Sequence, residues 1–164
     1  MARKTANEKL HSKGDLPKIV DLSDNPDYVK RYGGTSLYVA DALQYDAIMA
    51  QVPEGKLTTT DRIRALLAAR AGTDATCPLT AGIFTNLVAA ASVERQDGSV
   101  SKEDYPEPPI AWWRTLKKDG EINPKYPGAP EEQITHLRAE GHHIEQRGKR
   151  FFVTDYESAL ATLS

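Results

Sequence analysis

Apolar residues recur along this chain at two spacings, and the changes between them outline its elements. Residues 1–18 are polar, lysine-rich and poor in large apolar groups, which predicts a mobile or loosely docked arm. Ile19–Leu22 predicts an edge strand, Asn25-Pro26-Asp27 and Gly33-Gly34 predict turns, and Ser36–Val39 predicts a second strand. Tyr45, Ile48, Met49 and Val52 then fall at i, i+3, i+4 and i+7, one face of a helix that Pro53 stops. Thr58–Asp61 offers several N-caps for a helix whose apolar face is Ile63, Leu66 and Leu67 and whose end is Gly72. Thr73–Thr76 reads as a turn, and a second helix starts at Cys77-Pro78, where proline fits the first helical position. Leu79, Ile83, Leu87 and Ala91 predict its inward stripe, with Thr80, Thr85 and Asn86 mostly off it.

Shorter periods follow. Residues 96–109 form a polar loop, Trp112–Leu116 is strand-like, and Lys117-Lys118-Asp119-Gly120 turns the chain towards Glu121-Ile122, a small hairpin with a basic tip. Pro130, with Glu131 and Glu132 behind it, opens a helix that turns Ile134 and Leu137 inward and closes at Gly141. His143–Gln146 and Phe151–Val153 flank the basic turn Arg147–Arg150, and a short helix is expected over about Asp155–Leu163. The sum is an α+β, mainly helical fold. Two helices joined by a short turn and followed by a hairpin have the layout of a winged helix-turn-helix DNA-binding domain, here with an added C-terminal β-hairpin. Residues 1–35 read as an N-terminal arm and extension, and residues 36–164 as the winged-helix domain.

Composition narrows the function classes. The 164 residues include 21 Lys+Arg against 23 Asp+Glu, a net charge of −2, and a single cysteine. One cysteine excludes an internal disulfide and a multi-thiolate zinc site. No apolar run reaches the ~18 residues of a membrane span, and no apolar segment follows the basic start, so neither a membrane nor a secretory signal is expected and the cytoplasm is the expected compartment. The total hides opposite local excesses. Residues 1–18 hold five basic and two acidic residues, residues 111–118 hold three basic and none acidic, and residues 94–109 hold two basic and five acidic.

Candidate chemistry is sparse. Cys77 adjoins a helix N-terminus, where the dipole favours a thiolate, but it reads more readily as a small buried hydrophobe, with no histidine beside it in sequence to act as base. His142 and His143 are adjacent and would point to opposite faces of a strand, while His11 and His136 stand alone, so no metal is expected. Gly33-Gly34 lacks a phosphate-cradling context, and no cofactor is expected. Trp112, Trp113 and Arg114 are better suited to bases, because indole faces stack and a guanidinium contacts phosphate or fills the gap left by an extruded base. In a strand the two indoles alternate, which predicts one core anchor and one exposed ring.

Gly55–Thr59, Thr80–Phe84, Trp112-Trp113-Arg114, Asp119–Ile122 and Pro127-Gly128…Gln133…Leu137…Glu140-Gly141 occur in one order. Over roughly residues 45–144 this set resembles the DNA-binding domain of the methylguanine-DNA methyltransferase family, and more closely its alkyltransferase-like branch. The flanks, including Arg147–Leu163, resemble a bacterial branch of the family. The family's Pro-Cys-His-Arg motif, aligned on Arg114, puts Ala111, Trp112 and Trp113 at the proline, acceptor-cysteine and histidine positions. The resemblance thus implies a protein that recognises alkylated guanine in double-stranded DNA without accepting the alkyl group, and that flags it to a repair-protein partner. Glu140 corresponds to the family glutamate, reduced here to a local structural role. The family's arginine finger falls at Pro78, its nucleotide-flipping tyrosine at Thr60, and its asparagine one place from Asn86. That leaves Thr58, Thr59, Thr80, Arg114, Lys117 and Lys118 as expected backbone contacts, with Trp112 or Trp113 lining a base pocket. A second reading is a non-catalytic protein-interaction or regulatory module that has lost DNA binding. A third makes Cys77 a displaced nucleophile.

Overall fold

The structure is a computed structural model that describes residues 3–164; the first two residues of the expected arm lie outside them. Thr5 accepts from the Glu8 amide to start α1 (Ala6–His11), which buries Asn7 and Leu10. Strand β1 (Lys18–Asp21) is followed by α2 (Pro26–Tyr32) and by β2 (Ser36–Val39), which pairs antiparallel with β1. Helix α3 (Ala42–Met49) buries Tyr45, Ile48 and Met49, with Val52 buried just beyond its end. Strand β3 (Thr58–Thr59) runs into α4 (Thr60–Ala71), where the Thr59 hydroxyl accepts from the Arg62 amide and Gly72 closes the helix at φ 69°. Strand β4 (Ala75–Thr76) lies parallel to β2, completing a three-stranded sheet of order β1-β2-β4. The longest helix, α5 (Pro78–Asp97), spans 20 residues from its N-cap Cys77. After a loop, β5 (Thr115–Leu116) pairs parallel with β3. Helix α6 (Glu131–Ala139) and the antiparallel hairpin β6 (Ile144–Arg147) and β7 (Arg150–Val153) complete the mixed α+β fold.

Two apolar clusters hold these elements. Leu10, Tyr45, Ile48, Ile63, Leu67 and Val88 belong to one, together with Trp112. Leu57, Leu116, Ile122, Ile134, Leu137 and Val153 form the other, and Trp113 packs against both. Among the described residues, no helix is long and apolar enough to cross a membrane.

Six expectations change. Trp112–Arg114 is a 3₁₀ turn rather than strand, and only Thr115–Leu116 pairs, parallel to β3. The arm is docked: Leu10 is buried, the Asn7 side-chain amide donates to the Ala91 carbonyl at 2.9 Å, and the Glu94 carboxylate accepts the Ala6 and Asn7 amides at 2.9 and 3.0 Å. Asn25-Pro26 and Gly33 are not separate turns but the cap, first residue and left-handed end of α2. Thr73–Thr76 contributes a strand, β4. The α5 stripe has a different phase, since Leu79 and Ile83 are 70% and 52% exposed while Ala81, Thr85, Val88 and Ser92 face inward. The terminal helix is one 3₁₀ turn, Tyr156–Ala159, after which Leu57 holds the tail through its amide to Ala159 and its carbonyl to the Ala161 amide, at 2.9 and 2.8 Å.

Candidate nucleic-acid interface

Burial of small residues on α5 turns its larger ones outward. Ala81, Thr85, Val88, Ala89 and Ser92 let the helix lie close against α1 and α3, so Leu79, Gly82 and Ile83 project from its N-terminal half. A Cβ built on Gly82 meets nothing within 4 Å, which marks open space there. This half-helix forms one wall of a cavity of about 330 Å³, shared with Arg64 of α4 and with Asn86, Lys117 and Lys125. Asn123 donates to Asn86 at 2.7 Å and tethers the segment after the basic turn to α5.

The basic turn itself is tight. Lys117 donates its amide to the Glu121 carbonyl at 2.9 Å, with Asp119 at φ 63° and Gly120 at φ 81° between them. A Cβ on Gly120 would stand 2.5 Å from the Tyr156 ring, so glycine is needed for space as well as conformation. Lys117 and Lys118 project into solvent. Arg64, Lys117 and Lys125 share this rim with Asp61, which lies 3.5 Å from Arg64.

Of the residues expected to touch DNA, only Lys117 and Lys118 are fully exposed. Thr58 and Thr59 are buried, because β3 lies against β5 and the Thr59 hydroxyl caps α4. Thr80 is half-buried, and its hydroxyl donates back to the Cys77 carbonyl at 3.4 Å. Trp112 is the core anchor, edge-on to Tyr126 at 5.3 Å. Trp113 is the half-exposed ring, stacked on His136 at 3.9 Å. Arg114 is not free: its Nε donates to Glu140 at 2.9 Å and its Nη1 to the Val52 carbonyl at 2.9 Å.

Glu140 is the hub of that corner. It accepts from Trp113 Nε1 at 2.6 Å, from Arg114 and from the Gly55 amide. Burial pushes its carboxyl up, but the bonds from Arg114, Gly55 and Trp113 outweigh it and hold the group below its ordinary value. Burial raises the Tyr126 phenol, which donates to the Thr115 carbonyl at 3.0 Å. Cys77 is half-buried at the start of α5. Among the described residues, no three His, Cys, Asp or Glu side chains gather to hold a metal ion.

Sequence reasoning missed Leu79, Ile83, Arg64 and Lys125. The signal was present in Ala81, Thr85, Val88 and Ser92, a small-residue face at i, i+4, i+7 and i+11.

No protein-family model and no curated protein matches the chain. Solved structures similar to it include two bound to DNA. One is S. pombe Atl1 in complex with damaged DNA containing O6-carboxymethylguanine, at 21% identity and a TM-score of 0.43, over 74% of this chain and 94% of that one. The other is S. pombe ATL in complex with DNA, at 21% identity and a TM-score of 0.40, over 73% of this chain and 92% of that one.

Proposed function

We propose that the protein binds duplex DNA across the exposed N-terminal half of α5 and recognises alkylated guanine there without accepting the alkyl group. The observation that carries this reading is the pairing of an outward Leu79-Gly82-Ile83 face with Arg64, Lys117 and Lys125 around it, next in chain to the exposed Lys118. Apolar and small residues on a projecting helix fit against sugars and base edges, and flanking cations fit the phosphates on either side. In this reading α4 and α5 act as a helix-turn-helix and the Lys117–Glu121 turn as its wing. The motif resemblance around residues 111–114 supports alkylated guanine as the feature recognised.

Transfer requires a nucleophile. Trp112 stands at the acceptor position and its ring is packed edge-on against Tyr126, so no thiolate is available there. The reading needs no cofactor. A repair protein would be its second partner, receiving the marked site.

The test compares binding to duplexes with and without 6-O-methylguanine and then weighs the intact protein. Tighter binding to the modified duplex with unchanged mass supports the reading. A methyl adduct, on Cys77 or elsewhere, contradicts the non-transfer half. The outward Leu79 and Ile83 pair also favours a second reading, an apolar protein-docking face that has lost DNA binding; absence of binding to either duplex would select it.

A further inference from the structure

The other half of α5 carries a second cavity, of about 480 Å³, walled by Val93, Ile110, Trp112 and Trp113. Ten residues separate Ile83 from Val93, about 15 Å along a helix axis, so this cavity and the Leu79–Ile83 face are distinct places on one rod. Its ionisable lining residues are Asp97 from the end of α5 and Glu132 and His136 from α6, with no lysine or arginine on its walls. The neighbouring segment, residues 98–109, adds to the same sign, with three acidic residues against one basic. Trp112 and Trp113 meet at 81° with centroids 5.7 Å apart, giving the cavity a rigid aromatic corner, which the stack of Trp113 on His136 braces.

We propose that this cavity is a docking site for an arginine side chain presented by a protein partner. An apolar, indole-lined recess accepts the three-carbon stem of arginine, and the planar guanidinium is attracted to indole rings. Asp97 and Glu132 supply acceptors for its N–H groups at the mouth. An acidic group finds no lysine or arginine here to pair with. A partner docked at this end of α5 leaves the Leu79–Ile83 half uncovered, so both faces can be occupied together.

Both tryptophans of the chain wall this one cavity, so indole fluorescence reports on it directly. The probe is the blocked tripeptide Ac-Gly-Arg-Gly-NH2, titrated into the full-length protein in the absence of DNA, with Ac-Gly-citrulline-Gly-NH2 as its uncharged match. The arginine peptide is expected to give a saturable change in tryptophan emission, and the citrulline peptide none. Glu132→Gln, at a solvent-facing position, should keep the fold and weaken the arginine peptide by roughly threefold, the scale of one partly exposed ion pair. Circular dichroism checks the fold of this variant. Equal responses to the two peptides, no saturable response to arginine, or unchanged affinity in a folded Glu132→Gln variant would overturn the proposal. Because no DNA enters the titration, none of these outcomes bears on DNA binding.

Discussion

The indole N–H of Trp113 donates to the carboxylate of Glu140 at 2.6 Å, tying the Trp112–Arg114 turn to the C-terminus of α6. The same carboxylate holds Arg114 and the Gly55 amide. Glu140→Ala leaves the largely buried Arg114 charge and two N–H groups without their partner and should cost about 3 kcal/mol in urea unfolding. Glu140→Gln keeps an acceptor and should cost roughly 1–2 kcal/mol. The bound carboxyl sits below its ordinary value, so its stabilisation is full above about pH 4.5 and is lost as the pH falls through the lowered pKa. The gap between the native chain and Glu140→Gln should therefore narrow on acidification.

Arg114 follows from the same contact. Its guanidinium is bonded to Glu140 and Val52, so Arg114→Ala should lower the urea midpoint. The salt dependence of DNA binding by the folded variant should match that of the native chain, since no phosphate contact is lost. A shallower salt slope would place Arg114 on the DNA instead.

The N-terminal helix should contribute to stability despite its length. Leu10 is 1% exposed within the main core cluster, and Leu10→Ala should cost about 2–4 kcal/mol by thermal or urea unfolding. A loose arm would give no change.

His11 gives this docking a pH dependence. Burial of the ring pulls its pKa down, but bonds to Glu107 at 3.0 Å and to the Asn7 carbonyl at 2.8 Å outweigh that and leave it raised. A raised histidine stabilises fully below its ordinary value of 6.5 and loses that contribution as the pH climbs through the raised pKa. Solvent screens the pair, so the stability gap between the native chain and His11→Gln should be at most ~1 kcal/mol larger at about pH 6 than at about pH 8.5.

Legibility in the sequence followed the size of the buried side chains. The Tyr45, Ile48, Met49 and Val52 face of α3 was readable because large apolar groups mark it at helical spacing, and the β6–β7 hairpin because a Gly-centred basic turn divides two β-prone runs. Helix α2 was not readable: it buries no residue, and Asn-Pro and Gly-Gly serve equally as turn signals and as helix ends. Helix α5 was readable as a helix but not in phase, because alanine, serine and threonine form its buried face and leave leucine and isoleucine outside. Burial of Thr58 and Thr59 depends on β5, 57 residues away in register, and so lay beyond any local pattern. The Glu140 position followed from the family resemblance, whereas its partners followed only from the fold.

The proposed function requires the basic rim beside α5 to meet DNA phosphates. The most direct measurement is duplex affinity against salt concentration for the native chain and for the Lys117→Ala/Lys118→Ala double variant, whose exposed sites leave the fold intact. Log K should fall linearly with log salt, with a slope made shallower by roughly 2 in the variant. Salt-independent binding, or the same slope in both proteins, would contradict it.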